Sequence, residues 1–219
     1  RFGVRTSNDN VEAVEFADWV FIAVKPGKIK EVIGKIGDQL ENKLLISMAA
    51  CVPIGSFDYF TAVRIMPNIP VAINQGVIGL LINKNVSWKE HQDLKTFLEL
   101  LGLVIDVKTD EELDLITIVS ACGPGIVAYL MNIISEYSVQ HGLSEYDASR
   151  IVFQTFVGTL AHLNKTGLSA QELIKNVATK GGVTETILRF LDDSGAPSIL
   201  DSSFDAGCDR INIVTNLLT

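Results

Sequence analysis

The chain has 219 residues, 47% of them hydrophobic and 20% charged, with a net charge of −8. That is enough for one large domain or two small ones, and too apolar for a chain disordered throughout. An acidic balance without any Lys/Arg run argues against a nucleic-acid or anionic-membrane surface, because both need a basic patch.

Cys51, Cys122 and Cys208 are widely spaced and show neither a metal nor a disulfide pattern, so a reducing, cytoplasmic setting is the expectation. The chain opens on Arg1 rather than Met and carries no signal-peptide pattern, so it is expected to begin inside a longer gene product.

In chain order, Trp19–Val24 is a β-rich apolar run, and Ile29–Leu40 has helical spacing at Ile29, Val32, Ile33, Ile36 and Leu40. Leu44–Ala49 reads as the next strand and Pro53–Phe60 as a short helix with Pro53 near its first turn. Val63–Met66, ended by Pro67, and Val77–Ile82 are further strands; the helix Trp88–Leu101 and the strand Leu103–Val107 follow. Short apolar strands alternating with helices predict a parallel sheet covered on both faces.

From Thr109 onward no strand pattern appears. Thr109-Asp110-Glu111-Glu112 is a capping-box start. Helices are predicted at about 112–119, 124–140, 144–164, 169–177, 183–193 and 197–217, with Ser144 and Ser169 as N-caps and Gly142 and Gly167 as C-terminal caps. The 144–164 helix is apolar nearly all round, which places it in a core or a subunit interface. Leu115–Ser135 carries no charge, but Gly123-Pro124-Gly125 interrupts it and no Lys or Arg lies between Lys108 and Arg150. A buried helix pair is therefore expected there rather than a membrane span. The domain boundary falls near residue 108, giving an α/β domain over 1–108 and an all-helical domain over 109–219.

Four runs carry possible chemistry, each with a plainer reading beside it. Ala23-Val24-Lys25-Pro26 ends a predicted strand, where open parallel sheets bind ligands, and Lys25 could reach a phosphate or ribose; it is otherwise a strand-terminating turn. Met66-Pro67-Asn68, the end of another strand, is a rigid loop offering the Asn68 amide, or simply a stiff connection. Gly123-x-Gly125-x-x-Ala128 formally matches a dinucleotide fingerprint, but it opens a helical region, so Pro124 is better explained as a first helical residue. In Thr179-Lys180-Gly181-Gly182-Val183-Thr184, two glycines precede a helix whose N–H groups suit a carboxylate or phosphate; the alternative is a helix–helix turn with a Thr cap. His91, His141 and His162 are scattered without metal spacing, and no Ser/His/Asp or Cys/His nucleophile set is apparent.

In order and spacing, Ala23-Val24-Lys25-Pro26, Met66-Pro67-Asn68, Gly123-Pro124 after a serine, and Gly181-Gly182-x-Thr184 resemble the pyrroline-5-carboxylate reductases over nearly the whole chain. The resemblance implies a Rossmann-type parallel sheet, lacking its first βαβ elements, followed by an all-helical dimerisation domain. It implies reduction of pyrroline-5-carboxylate to proline by hydride transfer from NADPH or NADH, and a homodimer that can assemble further into a decamer. The substrate would sit on Thr179, Gly181, Gly182 and Thr184, with the Thr184 hydroxyl bonded to the ring nitrogen. Asn10, Ala23, Val24, Lys25, Pro26, Pro67 and Asn68 would line the cofactor cleft, which in the dimer meets the glycine-rich run of the partner. The family's glycine fingerprint, and the residues that choose NADPH over NADH, would lie before Arg1. Lys180 stands where proline is usual, Cys122 and Gly125 where serine and alanine are, and Cys51 at a common glycine. These departures leave open a reductase of the same architecture acting on another cyclic imine or a small acid, or a non-catalytic helical dimer with a degraded cofactor domain.

Overall fold

The computed structural model describes residues 3–218. The chain packs as two compact units: residues up to Pro124 together with Phe204 onward, and Gly125–Ser203. The change from strands to helices falls between Val107 and Asp110, as the periodicity predicts, whereas the compact units divide later along the chain.

The first unit contains α1 (Asn10–Phe16), β1 (Trp19–Ile22), α2 (Ile29–Ile36), β2 (Leu44–Ser47), β3 (Thr61–Pro67), β4 (Gly76–Ile82), α3 (Trp88–Glu99), β5 (Gly102–Val107) and α4 (Asp110–Ile116). The sheet order is β1-β2-β3-β4-β5. Strands β1, β2 and β3 run parallel, with Trp19 beside Leu44 and Leu44 beside Thr61. The β4–β5 pair is also parallel, but β3 and β4 are antiparallel, with Val63 beside Ile82. The expected parallel sheet is thus parallel-dominated with one reversal. Only Asn68–Gln75 connects β3 to β4, and a parallel crossover needs roughly a dozen residues or more.

Every residue of β2 is buried, because its alternate side chains feed opposite faces. Leu45 joins Val20, Ile22, Ile29, Ile36 and Phe57 under α1 and α2. Leu44 and Ile46 join Val63, Ile65, Ile78, Leu94 and Leu98 under α3. Each such side chain contributes about 1.5–3 kcal/mol on burial. Helix α2 stops at Ile36 and tightens into a 3-10 turn over Gly37–Gln39, where glycine lowers helix propensity. The short helix expected over Pro53–Phe60 is a single 3-10 turn, Ile54–Phe57.

Strand β3 fastens α4 along one of its faces. Arg64, Met66 and Asn68 alternate onto that face. Arg64, 1% exposed, pairs with Asp110 and lies 3.7 Å from Asp114. Met66 packs with Leu81 and Leu113, and Asn68 bonds Ser120. The Cβ of any larger residue at Gly79 would come within 2.5 Å of the Leu113 side chain, so glycine there lets α4 approach β4. Thr109 caps α4 by accepting from the Glu112 N–H, but the Glu112 carboxylate accepts from the Lys108 N–H instead, so the expected capping box closes one residue early. A π-helical turn, Thr117–Ala121, continues α4.

The second unit is wholly helical: most of α5 (Gly123–Gln140), then α6 (Glu145–Thr166), α7 (Ala170–Val177), α8 (Val183–Asp193) and the start of α9 (Ala196–Leu218). Among the described residues after Val107 there is no strand. Ser144 caps α6, Ser169 closes a full capping box on α7, and Gly142 (φ +101°) and Gly167 (φ +71°) take the left-handed positions that glycine tolerates. Among the described residues of this unit only Ala148 and Val152 are buried. One helical stretch, Asp110–Gln140, is long and apolar enough by length and composition to cross a membrane.

Candidate active site

Strands β1 and β3 end at the same edge of the sheet, with β2 between them, so their tips lie about 10 Å apart. Past β1, Ala23, Val24 and Lys25 are exposed; Pro26 opens a 3-10 turn and lines an apolar hollow of ≈ 480 Å³ with Gly27, Ile29, Val52, Pro53 and Leu218. Past β3, Pro67 ends the strand and Asn68 follows, both half-buried. The Asn68 side chain accepts from the Val77 N–H at 2.9 Å and donates to Ser120 O and Oγ, each at 3.2 Å. Its amide is thereby committed to holding the loop, which leaves the backbone around it as the surface offered to a ligand. Asn10 is the first residue of α1, exposed and next to the capping Asp9.

The second group of residues lies between α7 and α8. Helix α7 ends at Val177, and Gly182 N–H donates to Thr179 O at 2.8 Å, closing a tight turn. Gly181 sits at φ +74°. A Cβ on Gly182 would meet Thr179 Oγ1 at 2.7 Å and Thr179 O at 2.9 Å, so the turn needs glycine at both positions. Gly182 is the N-cap of α8 and brings no side chain to it. The first N–H groups of any helix lack an intrahelical acceptor and carry its positive dipole end. Thr184, second residue of α8, is half-buried beside them, while Thr179 is exposed. The geometry can therefore hold a small anion next to a hydroxyl.

Three features escaped the sequence reading. Glu185 reaches back so that its carboxylate accepts from the Gly181 N–H at 2.6 Å. An acidic residue three positions after an N-cap is the available signal. Ser120, the partner of Asn68, and Asp110, the partner of Arg64, are remote in sequence and carry no local mark. Cys51 adopts φ +61°, a conformation in which glycine is free of strain, which gives the common glycine at this position a physical reason. Among the described residues no three His, Cys, Asp or Glu side chains are grouped as metal ligands. His91 Nε2 lies 2.6 Å from Asp106 and His141 Nδ1 lies 2.8 Å from Tyr137 O, both near the surface.

Residues 110–213 match the family described as pyrroline-5-carboxylate reductase dimerisation, and residues 1–51 match the one described as NADP oxidoreductase coenzyme F420-dependent. The chain is 28% identical to pyrroline-5-carboxylate reductase from Pseudomonas aeruginosa, covering 95% of this chain and 79% of that protein. It is also 28% identical to the enzyme of the same name from Corynebacterium melassecola, covering 96% and 81%. Among solved structures, the NADP-bound pyrroline carboxylate reductase of Plasmodium falciparum superposes with TM-score 0.87 at 25% identity, covering 97% of this chain and 86% of that one. The Coxiella burnetii pyrroline-5-carboxylate reductase gives 0.86 at 28%, covering 96% and 80%. The strand-end turns, the glycine turn before α8 and these likenesses agree: over nearly its whole length the chain is similar to the pyrroline-5-carboxylate reductases.

Proposed function

We propose that this chain reduces pyrroline-5-carboxylate to proline with NADPH or NADH, the last step of proline biosynthesis. The observation that carries the reading is the Thr179–Thr184 turn, which joins N–H groups suited to a carboxylate with one hydroxyl in a chain similar to these reductases.

The strand-end residues fit one end of a dinucleotide. Ala23, Val24 and Lys25 offer exposed backbone and a cation, Pro26 and Pro67 offer apolar walls, the backbone at Asn68 closes the loop side, and Asn10 would reach the ribose. No Gly-x-Gly-x-x-Gly follows a strand in these residues, so they do not by themselves supply a phosphate cradle of that kind. The nicotinamide cofactor, when bound, supplies the hydride. The substrate carboxylate sits on the backbone N–H groups around Thr179, Gly181, Gly182 and Thr184, the Gly182 N–H itself closing the turn onto Thr179. The Thr184 hydroxyl hydrogen-bonds the ring nitrogen and orients the C=N carbon. No strong protein acid is required, because an imine nitrogen is readily protonated from solvent.

The homodimer belongs to the same proposal: the matched region is described by dimerisation, and the second unit leaves its apolar side chains uncovered. Further assembly into a decamer is supported by the family resemblance, and a cytoplasmic location by the free cysteines Cys51, Cys122 and Cys208. The test is oxidation of NADPH and of NADH by the purified protein with pyrroline-5-carboxylate, its six-membered homologue and the unsubstituted pyrroline. Turnover highest with pyrroline-5-carboxylate supports the reading; turnover with another imine alone reassigns the substrate.

A further inference from the structure

The Gly181 N–H is one of the donors that the proposed function gives to the substrate carboxylate, and here it already holds a carboxylate. Glu185 Oε2 accepts from it at 2.6 Å. Glu185 is the third residue of α8, so its side chain folds back over the helix start. Gly181 sits at φ +74° and Gly182 closes the turn onto Thr179. The single Gly181 N–H that Glu185 engages cannot serve a second carboxylate equally well. Lys180, at the exposed tip of the turn, and Arg189, one helical turn further along α8, are the nearest cations along the chain, and Glu185 makes an ion pair with neither.

We infer that Glu185 is a specificity-determining residue, an internal carboxylate that competes with the carboxylate of the substrate for the Gly181 end of the seat. A ring imine bearing a carboxylate must displace it or bind beside it, and either event carries like-charge repulsion. A ring imine without a carboxylate meets no such competition. Glu185 therefore weakens binding of acidic imines and of proline, and narrows the preference for them over the unsubstituted ring. This rests on the reading of Thr179–Thr184 as the substrate seat.

Glu185→Gln separates charge from capping, because its amide oxygen can still accept from the Gly181 N–H. In Glu185→Gln, L-proline is expected to bind about tenfold more tightly, the effect of removing one like charge roughly 5 Å away at an effective dielectric between those of a protein surface and bulk water. The binding is read from the Gly181 amide resonance during a proline titration. The KM for pyrroline-5-carboxylate should fall with it, and the ratio of that KM to the KM for unsubstituted pyrroline should fall too. Unchanged proline affinity and an unchanged KM ratio overturn the proposal and leave Glu185 as a cap. A separate arm checks the seat: Thr184→Ala should weaken proline binding. If neither the wild type nor Glu185→Gln shows a Gly181 shift on adding proline, and Thr184→Ala changes nothing, the seat itself is misplaced and both readings fall.

Discussion

Burial pushes the Asp114 carboxyl above its ordinary 3.8; nearby Arg64 pulls it down, and Asp110 and Glu111 push it up further. Arg64, buried within the first unit, is shared by two carboxylates, and its Nε and Nη2 make no hydrogen bond. A carboxyl whose pKa is raised by folding binds its proton more readily in the folded state, so stability falls as pH rises through that range. Asp114→Asn should then raise the melting temperature at pH 7, with the gap to wild type closing as pH falls toward 4; a variant less stable than wild type at pH 7 would show that the Arg64 contact outweighs burial. In the proposed reaction Thr184 supplies the hydrogen bond to the ring nitrogen. Loss of one hydrogen bond to the reacting nitrogen costs about 2–4 kcal/mol at the transition state, roughly a hundredfold in rate. Thr184→Ala should lower turnover that much with NAD(P)H affinity nearly unchanged, and Thr184→Ser should keep most activity. Were Thr184 only a cap, Ala would cost about 1 kcal/mol of stability and turnover per folded molecule would hold. Melting temperature and turnover on the same samples separate the two.

The β3–β4 loop is where one side chain holds elements together. Asn68 ties the loop to Val77 and to the π-helical turn at Ser120. Asn68→Ala would strip a half-buried N–H of its acceptor and two contacts to Ser120, at about 1–3 kcal/mol. A melting temperature lowered by several degrees is expected, and an unchanged one would mean that Val77 N–H finds another acceptor. This linkage also marks the limit of reading from sequence. Periodicity and caps located all five strands and the six later helices, because each signal is carried by neighbours a few residues apart. The reversal of β4, the Asn68–Ser120 bond and the Arg64–Asp110 pair depend on residues far apart in the chain, which no local pattern records. The glycine turn before α8 was legible because adjacent glycines are a local mark, Gly181 taking a positive φ and Gly182 a close approach to Thr179, whereas Glu185 is one first-turn acid among several.

At the scale of the molecule the second unit raises the question of what covers it. A soluble monomer rarely exposes a contiguous apolar patch beyond about 300–600 Å². Here α5 and α6 alone present Tyr129, Tyr137, Ile151, Phe153 and Leu160 at 51–65% exposure, and only Ala148 and Val152 among the described residues of the unit are buried. Two coverings suit such helices: lipid or a second copy. The Asp110–Gln140 stretch meets the length and composition for a membrane span. Yet its N-terminal end, Lys108 aside, carries Asp110, Glu111, Glu112 and Asp114, no Lys or Arg follows before Arg150 to anchor the other end, and α6, equally uncovered, carries Asp147, Arg150 and Lys165. A two-fold copy satisfies both helices at once, since an isologous contact buries the same face on each protomer. Such an interface should exceed about 2,000 Å² in total. Sedimentation of the detergent-free protein at micromolar concentration is expected to give a dimer or a multiple of it. Phe153→Asp, placing a charge in the contact, should shift it toward monomer and lower its melting temperature. A monodisperse wild-type monomer would defeat the dimer, and a protein that stays in solution only with detergent would favour lipid as the covering.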